Sequence, residues 1–138
     1  MINNEHAVKR IAQMQEAIGS VKDILKMPKK SVCKDNIKYG ALERFLQVAI
    51  ENALHVGNFV IASRGLRKPE KYEDIMSILI DNKVVPKKFA KDTSVMAPVR
   101  NSLVYDLETY EREETFDIAK KNLARTLHEL SKVLEKSI

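Results

Sequence analysis

The segment that most limits what this chain can become runs from about Asp35 to Ser63. Wound as a helix, it is apolar over most of its circumference: Leu42, Phe45, Leu46, Val48, Ala49, Ile50, Ala53, Val56, Phe59 and Val60. One polar stripe is left, made of Arg44, Gln47, Glu51, His55 and Asn58 at spacings of 3, 4, 4 and 3. Such a helix must be covered on several sides, so it belongs at the centre of a bundle or between two subunits. Gly65, in SRGLRKP, is placed to close it as a left-handed cap.

The remaining segments supply the cover. Ala7, Ile11, Met14, Ile18, Val21 and Leu25 place one apolar stripe on a first helix from about Asn4 to Met27, which Pro28 stops. Asp35 or Asn36 can cap the central helix. A short third helix starts after Pro69, with Tyr72, Ile75, Met76, Leu79 and Ile80 as its face. DNKVVP is a turn, and Pro86 suits the first position of a fourth helix. Phe89, Met96, Val99 and Leu103 continue its pattern, with a kink or restart expected at Pro98. A last helix spans about Glu114 to Lys136. The expectation is an all-α fold over residues 1–138, a single up-and-down bundle of about five helices that forms a homodimer.

Composition agrees and removes alternatives. Aromatics make up 6% of the 138 residues and Trp is absent, which disfavours a β-sandwich. Cys33 is alone, so neither an intrachain disulfide nor a CxxC metal site can form. His6, His55 and His128 lie far apart without ligand spacing, so no metal and no other cofactor is expected. The N-terminus has no signal-like apolar region, and no uninterrupted apolar run approaches the roughly 18 residues of a membrane span. A cytoplasmic protein without a membrane partner is expected. The formal charge of +5 permits a polyanionic partner without requiring one, because acidic and basic residues are interspersed.

Three features carry candidate chemistry. His55 follows Glu51 by four residues, either as an acid/base pair or as part of a solvated strip satisfied by an i,i+4 contact. The Lys/Arg clusters KMPKKSVCKDNIK, SRGLRKPEK, PKKFAK and AKKNLAR could neutralise phosphates, but no aromatics interleave with them as stacking platforms. Arg100 lies in an apolar setting, after Met96, Ala97, Pro98 and Val99 and before Leu103 and Val104. It either snorkels outward or is held for a purpose.

Two stretches then resemble a known family. YGALERFLQVAIENALHVGNFVIASRGLRKPEKYEDIMSILIDNKVVP and MAPVRNSLVYD are similar to the HepT-like branch of the HEPN superfamily, and the resemblance covers nearly the whole chain. The family signature is Arg, four residues, His, one residue, Tyr. Arg100 and Asn101 match its Arg and frequent Asn, and Leu103 and Val104 its apolar pair. Tyr105 stands at the His position and Leu107 at the Tyr position. The resemblance implies a homodimeric, metal-free endoribonuclease acting on RNA. It also implies a minimal nucleotidyltransferase antitoxin that attaches AMP to the signature Tyr.

The departures weigh on both chemistries. Cleavage needs a base for the 2′-hydroxyl, an acid for the leaving 5′-oxygen and a cation for the phosphorane. Arginine suits the last. A phenol, with an ordinary pKa of about 10, can donate a proton but is a poor base at neutral pH. Arg100, Asn101 and Tyr105 are therefore the candidate catalytic set, with Tyr105 at a degenerate position. Leu107 has no hydroxyl, which leaves Tyr105 and Tyr110 as candidate AMP acceptors. Positions 100 and 105 lie about 140° apart on a helix, an angle more easily reconciled at a symmetric two-helix seam. Three readings follow: an RNA-binding toxin-family protein with weak or lost cleavage, a non-catalytic dimer that binds a nucleotidyltransferase or nucleic acid, and a plain helical interaction module.

Overall fold

Capping and apolar spacing set the helix limits in the computed structural model, which describes residues 3–105 and 109–138. Helix α1, Glu5–Leu25, buries Ala7, Ile11, Met14, Ile18, Val21 and Leu25, the expected stripe, together with Ala17 and Ile24. MPKKSVCKDN, expected as a break, contains the six-residue helix α2, Lys29–Lys34, which buries Val32 and Cys33. Two adjacent apolar residues give no periodicity from which so short a helix could be read.

Helix α3, Asn36–Ser63, is the axis of the fold. Asp35 caps it, its carboxylate accepting from the backbone N–H of Ile37 at 2.9 Å and of Lys38 at 3.1 Å. At the other end Leu66 N–H donates to Ile61 O and Gly65 N–H to Ala62 O, with Gly65 at φ 64°. These two bonds form a Schellman closure, which needs a residue at ease in the left-handed region. Length and composition alone would let α3 cross a membrane, but 56% of its most apolar window is buried inside the bundle. It packs against α1 and α2.

Helix α4, Tyr72–Asp81, begins where Asp74 accepts from the backbone N–H groups of Glu70 and Lys71. It buries Ile75, Met76, Ile78 and Leu79, while Tyr72, expected on that face, is 37% exposed. The expected fourth helix is divided. Pro86 precedes a 3-10 turn, Lys87–Phe89, rather than opening a helix, and the turn leads into helix α5, Ala90–Thr93. The chain then restarts as α6, Met96–Tyr105. Pro98 sits in the first turn of α6, where its missing N–H leaves no helical bond unmade. Helix α7, Arg112–Ile118, passes through a π-helical turn, Ala119–Leu123, into α8, Ala124–Glu135.

Helices α1 and α8 cover one side of α3, and α4 and α6 another. A single core joins them, with Met14, Leu42, Leu46, Ile50, Leu79, Leu123 and Leu130 at 1% exposure or less. Each buried aliphatic side chain of this size stabilises the fold by about 1.5–3 kcal/mol. The polar stripe of α3 runs along the surface as expected: Arg44, His55 and Asn58 are exposed, and Gln47 and Glu51 half-buried. Helices α3 and α4 approach closely at Gly57, where a Cβ would stand 2.8 Å from Ile75 Cγ2 and 3.1 Å from Leu79 Cδ1. That contact fixes how near α4, and Tyr72 at its start, comes to α3.

Candidate functional site

Arg100 lies on α6 at 8% exposure, and a guanidinium so buried needs partners. Tyr72 supplies the largest contact. Its ring centroid is 4.2 Å from Arg100 Cζ, and its hydroxyl accepts a long bond of 3.4 Å from Nη2. Asn101 Oδ1 accepts from Nη1 at 3.1 Å. Glu51 reaches across from α3, its Oε1 3.5 Å from Arg100 Nε. The distance makes an ion pair, but Nε is not aligned to donate, and it has no acceptor among the described residues.

Tyr105, the last residue of α6, is 63% exposed, and its ring centroid lies 5.8 Å from Arg100 Cζ. The angular argument from the sequence is thereby relaxed. Arginine is long enough to sweep around its helix, so Arg100 and Tyr105 meet within one chain. Tyr110 is half-buried and packs against the core. Leu107 lies outside the described residues.

His55 stands one turn after Glu51 on the same stripe. Partial burial holds its pKa below the ordinary histidine value, Arg10 and Arg100 push it the same way, and Glu51 opposes them. Arg10, on α1, donates to Asn52 Oδ1 at 3.2 Å, and the buried Asn52 amide in turn donates to Val48 O. A cleft of about 230 Å³ opens beside Tyr72, lined by Asn58, Lys68, Pro69, Glu70, Lys71 and Ile75. On the other side of Tyr72, a second cleft of about 320 Å³ reaches Leu54, Met76, Thr93 and Met96.

Of the sequence candidates, Arg100, Asn101 and Tyr105 come together. Glu51 and Tyr72 join them, and no motif links either to Arg100. Periodicity marks Tyr72 as apolar packing; its place as the first residue of a helix after a Lys-rich loop is the signal that could have found it. Chemically the group is a cation held by one aromatic face, one amide and one carboxylate, with a phenol at its edge. It can take a phosphate if the phosphate outcompetes Glu51.

Comparison with known proteins gives a consistent picture. A family model described as "Ribonuclease HepT-like" matches residues 14–136. A candidate RNase of Bacillus subtilis (strain 168), YutE, is 39% identical over 64 residues, covering 46% of this chain and 44% of that protein. The matched part is thus under half of that relative's length. The solved structure of YutE, described as a cytosolic protein of unknown function, superposes with a TM-score of 0.70 at 25% identity, covering 91% of this chain and 87% of that one. A tri-AMPylated HEPN toxin of Shewanella oneidensis, solved with its MNT antitoxin, has the same fold. Its TM-score is 0.85 at 14% identity, over 97% of this chain and 99% of that one.

Proposed function

We propose, from the premise that this chain belongs to the HepT-like ribonuclease family, that it binds RNA at Arg100 and pairs with a minimal nucleotidyltransferase antitoxin. The observation that carries the reading is the buried Arg100 guanidinium, held between Tyr72, Asn101 and Glu51 at the family's signature position. A cation fixed in a partly dry site interacts with phosphate more strongly than a surface lysine does.

Tyr105 replaces the signature base, so the signature segment alone lacks a proton acceptor suited to neutral pH. Arg100 supplies charge stabilisation of the phosphorane, and Tyr105, beside it, is placed to protonate a leaving oxygen. The protein acts as a homodimer. Exposed Tyr105 and the adjacent half-buried Val104 offer α6 a face for the same surface of a second copy. Exposure favours Tyr105 over the half-buried Tyr110 as the acceptor of AMP.

The deciding experiment is RNA cleavage and RNA binding by the purified protein, comparing the parent with Arg100→Ala and Tyr105→His. Loss of both properties in Arg100→Ala supports the reading. Equal RNA affinity in the parent and Arg100→Ala overturns it.

A further inference from the structure

The segment that lost the family's histidine sits against a helix that carries another one. Glu51 touches Arg100 at 3.5 Å from α3. Asn58, two turns further along the same stripe, shares a cleft wall with Tyr72, whose ring stacks on Arg100 at 4.2 Å. His55 lies between these two points, about 6 Å along the axis from Glu51 at 1.5 Å per residue. Both of its neighbours on the stripe therefore border the Arg100–Tyr72 pair, and its imidazole is exposed.

The geometry points to His55 as the general base of RNA cleavage at the Arg100 site, taking over from α3 the role that Tyr105 cannot fill on α6. This rests on the RNA-cleavage reading and adds to it the residue that removes the proton. In the step, the His55 imidazole takes the proton of the 2′-hydroxyl and O2′ forms a bond to phosphorus. The P–O5′ bond breaks, and the Tyr105 phenol gives its proton to O5′. The products are a 2′,3′-cyclic phosphate and a free 5′-hydroxyl. Imidazolium and phenolate return to their resting forms through solvent, so the net change is one proton moved from O2′ to O5′.

The charges around His55 suit the task. Arg10 from α1 and Arg100 from α6 disfavour the imidazolium, Glu51 on its own helix favours it, and Lys68, Glu70 and Lys71 border the cleft beyond Asn58. Partial burial adds to the disfavour, so the resting ring is neutral at pH 7 and able to accept a proton.

The test is single-turnover cleavage of an RNA oligonucleotide, with pH profiles, by the parent, His55→Ala, Tyr105→His and the double variant. His55 is exposed, so its replacement should leave the fold intact, which circular dichroism checks. His55→Ala is expected to cut roughly 10²–10⁴-fold more slowly. It should also lose the acidic limb, whose midpoint in the parent lies below the ordinary histidine value. Tyr105→His in the His55→Ala background should restore part of the cleavage, since it returns a base to α6 while removing the phenol that serves as acid. A parent that cleaves no faster than His55→Ala overturns the assignment and leaves the RNA-cleavage reading standing. A parent that leaves RNA intact while Tyr105→His cleaves it overturns His55 and keeps the Arg100 site. If neither cleaves, both readings fall.

Discussion

Arg100 and Tyr72 form a stacked pair, the guanidinium carbon 4.2 Å from the ring centroid, though they stand 28 positions apart in sequence. It joins α6 to the first turn of α4 and holds the charge in one orientation. Tyr72→Ala should weaken RNA binding several-fold, because such a contact is worth about 0.5–2 kcal/mol. Tyr72→Phe keeps the ring and loses only the 3.4 Å bond, so its affinity should stay near that of the parent. Filter-binding titrations of the two variants check this.

Glu51→Gln should have two opposite effects. It leaves Arg100, with a side chain only 10% exposed, without its carboxylate. Because Glu51 itself is 31% exposed, the loss is that of a partly solvated pair, about 1 kcal/mol. The thermal midpoint falls by a few degrees. Affinity for inorganic phosphate rises, because the competing internal anion is gone. Calorimetry reads both, and an unchanged phosphate affinity would count against competition at this site.

Gly57→Ala sets two magnitudes against each other. Helix propensity favours alanine by about 1 kcal/mol. The added methyl would stand 2.8 Å from Ile75 Cγ2 and 3.1 Å from Leu79 Cδ1, and overpacking of this kind costs about 1–3 kcal/mol. The net expectation is destabilisation of about 1 kcal/mol in urea titrations. RNA affinity should drop with it, since α4 carries Tyr72.

Asp35→Ala should lower the thermal midpoint by removing the cap of α3. The two backbone donors hold the Asp35 carboxyl below its ordinary value of 3.8. Its contribution is therefore complete above that ordinary value and disappears as pH falls through the lowered folded one. The parent and variant curves should converge in acid. A midpoint difference that stays constant as pH falls below 3.8 would show that the cap acts by some other means.

If Arg100 and the basic loops engage RNA phosphates, the logarithm of affinity should fall linearly with the logarithm of salt concentration. Arg100→Ala should reduce that slope by about one. A slope unaffected by the substitution would place Arg100 outside the bound strand.

The sequence revealed the architecture where periodicity and capping coincide. The stripe of α1, the doubly apolar α3 and its Asp35 and Gly65 ends all appear as read. It was silent where structure depends on contacts made elsewhere. Helix α2 is too short to show a period, and the π turn at Ala119–Leu123 lies within apolar spacing that a continuous α-helix would also give. Arg100 was legible as a charge at the edge of the core, because a cation amid Met96, Val99 and Leu103 must either snorkel to water or be held by partners. Those partners were not legible. Glu51 and Tyr72 belong to separate helices, which pack together through the core, closely at Gly57.

If Arg100 binds RNA, the carboxylate beside it also acts as a filter. An isolated phosphate or nucleotide arriving at this guanidinium must displace an anion that is already tethered there, at a cost of about 1 kcal/mol. A polymer brings further phosphates to the lysines bordering the neighbouring cleft and gains from each of them. If RNA is bound at Arg100, a strand that spans the groove should outcompete a free nucleotide there.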